Sequence, residues 1–283
     1  MKRILPLILA ALLLCACAET TPAPETTTTV TTEGTTTVPT TEEVTVPPTT
    51  EAPTVPPTTE ATVPPTTAEP TVPATTVPAN TDPEPNYVWD GTPVIYSGAQ
   101  VDYLGKKGNG HDVSWARKYI PEYVMIHFCS AVVNHRNDPY NMEYVRQTFV
   151  DADVSIHYIL DRDGTVYCYT SEDRAAWHAG KGTWLDDPKY TNKMNYYSIG
   201  IEVVGMGSYS DMSGYLTKKE YEALDPELLG FTDAQYTSLK ALVEDICGRY
   251  DIPMDRQHII GHQEYSPKKK DPGELFDWSR IVP

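Results

Sequence analysis

The chain has 283 residues, with 22 Lys or Arg against 39 Asp or Glu, and its formal net charge is −17 at pH 7. This charge argues against a nucleic-acid partner, because phosphate binding needs a clustered excess of Lys and Arg. Composition also divides the chain, since only the region after about Asn86 has the apolar content of a globular domain.

The first residues have the layout of a secretory signal peptide. Lys2 and Arg3 precede an apolar run, Ile4 to Leu14, that is too short to span a bilayer. The run ends in Leu14-Cys15-Ala16-Cys17, which resembles the lipobox of bacterial lipoproteins. We therefore predict a lipoprotein-type signal peptide over residues 1–17, with acylated Cys17 anchoring the protein to a membrane outside the cytoplasm. Simple secretion after cleavage near Ala18 is the alternative.

Residues 18–85 consist almost entirely of Thr, Pro, Val, Glu and Ala. The phrase Val-Pro-Pro-Thr-Thr recurs from Val46, Val55 and Val63. Its prolines remove backbone donors, and the segment has too little apolar surface to offset the entropy cost of ordering. We predict a disordered linker of polyproline II character, which at about 3.1 Å per residue reaches on the order of 200 Å.

The remaining region, residues 86–283, alternates between strand and helix patterns. Tyr123 to Cys129 is a short apolar run typical of a buried strand, and helical spacing of apolar residues predicts a helix over about Asn141 to Val150. Val154 to Leu160 and Thr165 to Thr170 flank an Asp-Gly pair at residues 163–164, which predicts a tight hairpin.

A further apolar run, Tyr197 to Val204, predicts another strand, and Met206 to Gly230 then forms an insertion that we expect to be a surface excursion. Thr232 and Gln235 form a capping box that begins a helix running to about Arg249. Strands interleaved with helices predict a single α/β domain (α+β in some schemes), with a central mixed β-sheet flanked by helices.

Several polar residues stand in places where chemistry is expected. His127 lies inside an apolar strand, where an imidazole either has buried hydrogen-bond partners or binds a metal. His262 follows a short apolar run, and Asp271 stands nine residues later in an Asp-Pro-Gly corner that turn chemistry alone would also explain. Glu202, in another apolar strand, is either an acid–base group or a buried ion-pair partner.

Together these motifs resemble the N-acetylmuramoyl-L-alanine amidases of the amidase-2 type, relatives of the animal peptidoglycan recognition proteins. The resemblance covers about Tyr123 to Gly273. It rests on five motifs in the family's order: the strand with His127, Val154 to Tyr167, Ala176-Trp-His-Ala-Gly180, Ser198-Ile-Gly-Ile-Glu202, and Gly-His262 with Asp271-Pro-Gly273.

The resemblance implies a Zn²⁺ site formed by His127, His262 and Asp271. Two imidazoles and a carboxylate suit zinc, and three protein ligands leave a fourth position for water. It also implies that Glu202 is the catalytic base and that Lys269 stabilises an oxyanion. The implied reaction is zinc-dependent hydrolysis of the bond between N-acetylmuramic acid and L-alanine in peptidoglycan.

Substrate contacts are assigned more loosely. Trp177 and His178 share a loop suited to a sugar–peptide groove, although Trp177 is equally suited to core packing. Asn195 is a weaker candidate, and Arg136 is placed to meet a stem-peptide carboxylate.

Two other functions stay open from the sequence: a non-catalytic peptidoglycan-recognition module, and a secreted zinc peptidase acting on stem peptides. The helical His-Glu-x-x-His of common zinc peptidases is absent from the sequence. A monomer is the default for a tethered wall enzyme. Cys129, Cys168 and Cys247 are expected to be buried core residues, with a bridge between Cys129 and Cys168 as the alternative.

Overall fold

The computed structural model describes residues 82–105 and 113–282. The predicted signal peptide with Cys17, and the predicted linker up to residue 81, lie outside these residues. Within the described part of the chain, no helix is both long and apolar enough to cross a membrane.

A mixed sheet forms the centre of the described region. The strands are β1 (Gln100–Val101), β2 (Ser114–Ala116), β3 (Tyr123–Cys129), β4 (Tyr158–Leu160), β5 (Val166–Cys168), β6 (Arg174–Ala176), β7 (Ser198–Val204) and β8 (Ile259–Gly261). Six of them are ordered β1-β5-β4-β7-β3-β8, while β2 and β6 pair separately. Strands β4, β7, β3 and β8 run parallel, and β5 is antiparallel to β4. The predicted mixed sheet is therefore confirmed.

Helices cover both faces of this sheet. They are α1 (Met142–Ala152), α2 (Met194–Tyr197), α3 (Tyr209–Met212), α4 (Lys218–Glu222), α5 (Asp233–Tyr250) and α6 (His262–Tyr265), with short 3₁₀ turns at Pro226–Leu228 and Trp278–Arg280. Leu239 and Val243 of α5 pack in one core with Ile126 of β3. Val145 and Phe149 of α1 pack in a second core on the opposite face. Apolar stripes on amphipathic helices explain both contacts.

The locally predicted elements are largely confirmed. Strand β3 has the predicted bounds. The capping box of Thr232 and Gln235 begins α5, which ends one residue beyond the predicted end. The hairpin also forms, and Gly164 has the positive φ of 87° that its turn requires. Strand β4, however, begins only at Tyr158, because the backbone before it bonds instead to a remote loop, through Ser155 N and Trp177 O at 3.1 Å.

The insertion is more than the surface excursion that the sequence suggests. Met206, Met212 and Leu216 are buried in a third core with Phe128 and Val132, next to the carboxyl end of β3. Met206 and Gly230 pair across its base. Its buried apolar residues are scattered among polar ones, so no helix or strand period was visible. Residues 206–230, called the insertion lobe below, are therefore a folded part of the domain.

The three cysteines of the described region are buried and carry free thiols, so the alternative of a Cys129–Cys168 bridge is wrong. Burial raises the pKa of Cys168 and of Cys247 to about 12. Both thiols are therefore protonated near neutral pH and act as small apolar core residues.

Candidate metal centre and active site

The carboxyl ends of three parallel strands bring the predicted site together. His127 lies near the end of β3, and its register partner on β7 is Glu202, so the two side chains project from the same face of the sheet. His262 directly follows β8, which pairs with β3 on the other side. Asp271 arrives through the loop after α6. Residues far apart in sequence therefore meet at one edge of the sheet.

Three donor atoms converge there. Nδ1 of His127 lies 2.8 Å from Oδ2 of Asp271 and 3.0 Å from Nδ1 of His262. Nδ1 of His262 lies 2.9 Å from the same Oδ2. All three side chains are fully buried. The other oxygen of Asp271, Oδ1, is also buried and has no hydrogen-bond partner among the described residues.

The tautomer of His262 follows from the hydrogen bond of its second ring nitrogen. Nε2 lies 2.9 Å from the carbonyl oxygen of Ala179. A carbonyl oxygen only accepts hydrogen bonds, so in the neutral imidazole Nε2 carries the proton and Nδ1 presents its lone pair to the centre.

A chain of hydrogen bonds gives His127 the same tautomer. The Ser198 hydroxyl donates to Met194 O at 2.7 Å, which leaves its oxygen to accept from His178 Nε2 at 3.2 Å. His178 Nδ1 then accepts from His127 Nε2 at 3.0 Å. His127 Nδ1 is therefore also a lone-pair donor. Burial is the largest influence on His127 and lowers its pKa to about 4, so the neutral form prevails near neutral pH.

This donor set fits zinc. Burial alone would raise the pKa of Asp271, but its contacts with His262 and His127 outweigh burial and hold that pKa below its usual value. A carboxylate and two imidazole lone pairs facing one another repel unless a cation lies between them. Two nitrogens and one oxygen are ligands that zinc prefers, and hydrogen bonds on the far side of each imidazole are typical of metal-binding histidines.

Glu202 and Lys269 lie beside this centre. Glu202 is fully buried, and burial of the Cys129 thiol, followed by its interaction with Glu202, raises the pKa of that thiol well above its usual value. Lys269 is half-buried, and its charge is one of the influences that lower the pKa of His127. Lys268 and Lys270 are exposed, as expected.

Two of the predicted substrate contacts lie among the groups that surround the candidate metal centre. His178 is fully buried, and its Nδ1 lies 3.0 Å from Nε2 of His127. Asn195 is also buried, and its Oδ1 accepts from the backbone N–H groups of His178 and Ala179 at 3.0 and 2.7 Å. One loop, residues 176–180, therefore holds both histidine ligands, because His178 contacts His127 and Ala179 O contacts His262. We call it the support loop.

The other two predicted contacts lie nearer the surface. Trp177 is half-buried, with its ring centroid 4.5 Å from that of Trp115. Arg136 bonds to Glu220 of the insertion lobe at 2.7 Å, and its side chain is 48% exposed. Trp177 therefore lies in an aromatic cluster, and Arg136 lies at the surface beside an acidic group.

One supporting residue was missed from the sequence. Asp211 of the insertion lobe is buried, and its Oδ2 accepts from Ser208 N, Ser208 Oγ and Glu274 N at 2.8 to 3.0 Å. A Cβ on Gly273, whose φ is 82°, would lie 2.6 Å from this oxygen. The lobe is thus attached to the segment that follows Asp271. The Ser-x-x-Asp capping pattern was visible in the sequence, but its second partner was not.

Comparison with known proteins gives one consistent family. A family model described as N-acetylmuramoyl-L-alanine amidase matches residues 117–274, more than half of the chain. The chain is similar to the 1,6-anhydro-N-acetylmuramyl-L-alanine amidase AmpD of Enterobacter cloacae, with 36% identity over 124 residues, 44% of this chain and 52% of that protein. It is 35% identical to AmpD of Haemophilus influenzae over 131 residues, 46% of this chain and 57% of that protein. The chain thus spans about half the length of these curated relatives.

Solved structures give weaker similarity. A crystal structure of a selenomethionine AmpD derivative has a TM-score of 0.46 and 24% identity, over 66% of this chain and 94% of that one. The AmiD amidase of E. coli, solved with anhydro-N-acetylmuramic acid-L-Ala-D-gamma-Glu-L-Lys, has a TM-score of 0.43 and 25% identity, over 57% of this chain and 56% of that one.

Proposed function

Because the chain belongs to the N-acetylmuramoyl-L-alanine amidase family, we propose that it is a zinc-dependent enzyme that hydrolyses the amide bond between N-acetylmuramic acid and L-alanine in peptidoglycan. The observation that carries this proposal is the convergence of His127, His262 and Asp271 within 3.0 Å of one another. The AmpD relatives, which are named as 1,6-anhydro-N-acetylmuramyl-L-alanine amidases, support the choice of bond.

The three ligands would hold a zinc ion in a fixed position. Bound zinc supplies Lewis-acid chemistry, which lowers the pKa of water and polarises a carbonyl group. The support loop keeps both imidazoles with their lone pairs inward, so little reorganisation is needed when the ion binds. Full burial of the three ligands excludes competing solvent from their far sides.

Glu202 would transfer a proton from the attacking water to the leaving amine. It stands beside His127 on the neighbouring strand, on the same face of the sheet. A carboxylate in this place can take a proton from the attacking water and deliver it to the leaving amine of L-alanine. The amine leaves as a neutral group only if it receives this proton, so the same residue serves both halves of the reaction.

Lys269 would stabilise the negative charge that develops on the carbonyl oxygen. Its half-buried position two residues before Asp271, and the influence of its charge on the pKa of His127, support this role. A positioned charge in a partly dry site contributes several kcal/mol, of the order of 3, to the transition state. Trp177 and Arg136 are proposed to contact the sugar–peptide substrate.

The proposal is tested with purified full-length protein and peptidoglycan. Release of stem peptides with a new alanine amine is expected, together with loss of activity in a chelator and its recovery on addition of zinc. Muropeptides that stay intact with zinc-loaded protein would favour the non-catalytic recognition module. Cleavage inside the stem peptide would favour the zinc peptidase.

Localisation is a separate proposal. We propose that Cys17 is acylated and holds the enzyme on the outer side of a membrane, supported by the run from Leu14 to Cys17. Labelling with radioactive palmitate in cells is expected for the native protein and lost in Cys17→Ser. Equal labelling of both proteins would exclude this anchor.

A further inference from the structure

A cavity of about 250 Å³ lies beyond the ends of β1 and β5, beside the two-stranded sheet of β2 and β6. The described residues that line it include none of the metal ligands, nor Glu202 or Lys269. Ligand pockets for drug-sized molecules have about 300 to 1,000 Å³, so a cavity of this size suits a single ring.

Aromatic side chains form much of its wall. Trp89 and Tyr103 are 46% and 43% exposed, and both line the cavity. The Trp89 indole N–H donates to Thr92 O at 2.7 Å, which orients the ring. Tyr169, almost fully buried, forms an inner wall. Exposed rings of this kind provide flat apolar faces on which a ligand can stack.

Polar and charged residues form much of the rest of the cavity wall. Thr170 is only 3% exposed, and its hydroxyl has no hydrogen-bond partner within residues 82–105 and 113–282. The hydroxyl oxygen itself is buried, so Thr170 contributes to the wall of the cavity rather than an exposed polar contact. Asp173 and Arg174 also line the cavity. Their opposite charges favour a neutral ligand over a charged one.

We propose that this cavity binds one sugar ring of the glycan strand, as a subsite separate from the metal centre. A sugar ring offers apolar C–H faces that stack on Trp89 and Tyr103 and hydroxyl groups that can bond to Asp173 and Arg174. This inference rests on the proposed function, because the glycan strand carries the stem peptide whose bond is cut. The subsite gives the enzyme a preference for intact strands over small soluble fragments.

The binding test uses full-length protein and a peptide-free probe, a tetramer of β-1,4-linked N-acetylglucosamine, in a calorimetric titration. Trp89→Ala is expected to weaken binding roughly tenfold, as loss of one aromatic stacking contact predicts. Ile120→Ala, which removes a similarly exposed apolar side chain elsewhere, should bind as the native protein does. No binding at millimolar probe, or binding unchanged in Trp89→Ala, overturns the subsite.

An activity test separates this inference from the amidase proposal. With a small soluble muramyl-peptide, Trp89→Ala should match the native enzyme, whereas with intact peptidoglycan it should be roughly tenfold slower. If the native protein cleaves neither substrate, the amidase proposal fails while the calorimetric result still decides the subsite. Equal rates of both proteins on intact peptidoglycan count against the subsite.

Discussion

His127 Nε2 lies 3.0 Å from Nδ1 of the buried His178, and this contact decides which nitrogen of His127 faces the metal centre. His178 Nδ1 accepts a hydrogen bond from His127 because its own Nε2–H donates to the Ser198 hydroxyl oxygen. We therefore infer that His178 positions His127.

Removing His178 should weaken zinc binding. In His178→Phe the Nε2–H of His127 loses its acceptor, and loss of such a supporting contact typically lowers metal affinity by about 10- to 100-fold. Competition with a chromophoric chelator measures the affinity. Ser198→Ala, which leaves His178 in place, should show a smaller decrease and guards against a folding defect in the first variant. Native affinity in both variants would exclude this role.

Glu202→Gln should separate metal binding from turnover. The amide is nearly isosteric and cannot take a proton, so we expect a decrease in turnover of about 10²- to 10⁴-fold with zinc content unchanged. Metal analysis and release of stem peptides check the two parts. Native turnover would remove Glu202 from the mechanism, while loss of zinc would assign it to the support of the centre.

Asp211 should affect zinc affinity from the insertion lobe. Asp211→Ala removes the acceptor that holds Glu274 N at 3.0 Å, close in sequence to Asp271. We expect a fall in affinity near the lower end of the about 10- to 100-fold range for outer contacts of metal sites. Glu220→Ala is the matched control. Glu220 completes the same kind of capping box, on α4, but it is not bonded to the segment that follows Asp271. Equal affinities of the two variants would contradict the proposed coupling.

A buried ion pair predicts a stability effect away from the site. Glu172 is fully buried, and its two oxygens bond to Arg249 at 2.6 and 2.7 Å. Arg249→Ala removes the bidentate ion-pair partner of this carboxylate; breaking a buried pair typically costs 3 to 5 kcal/mol, and we expect about 3 because Tyr158 and Arg117 still interact with Glu172. Urea unfolding measures the change. Lys218→Ala, which removes a pair exposed on both sides, should change stability by less than about 1 kcal/mol. Similar decreases in the free energy of unfolding of both variants would show that burial of Glu172 does not strengthen the contribution of its ion pair to stability.

Much of the fold could be predicted because its signals are local. The apolar run of β3, the hairpin around Gly164 and the capping box before α5 depend on residues within a few positions of one another. Each family motif is also local, and their order along the chain made His127, His262 and Asp271 the candidate ligands before any geometry was known.

The sequence by itself therefore determined many of the elements, the family resemblance and the candidate metal ligands. Only the tertiary structure decided that His178 and Asn195 point inward, that the support loop holds both histidines, and that Asp211 contacts the segment after Asp271. The reason is physical: a polar side chain beside an apolar strand can face solvent or the interior, and its direction depends on which remote segment supplies its partner. Met194, Ser198 and Glu274 supply those partners, and no local pattern in the chain relates them to the residues they hold.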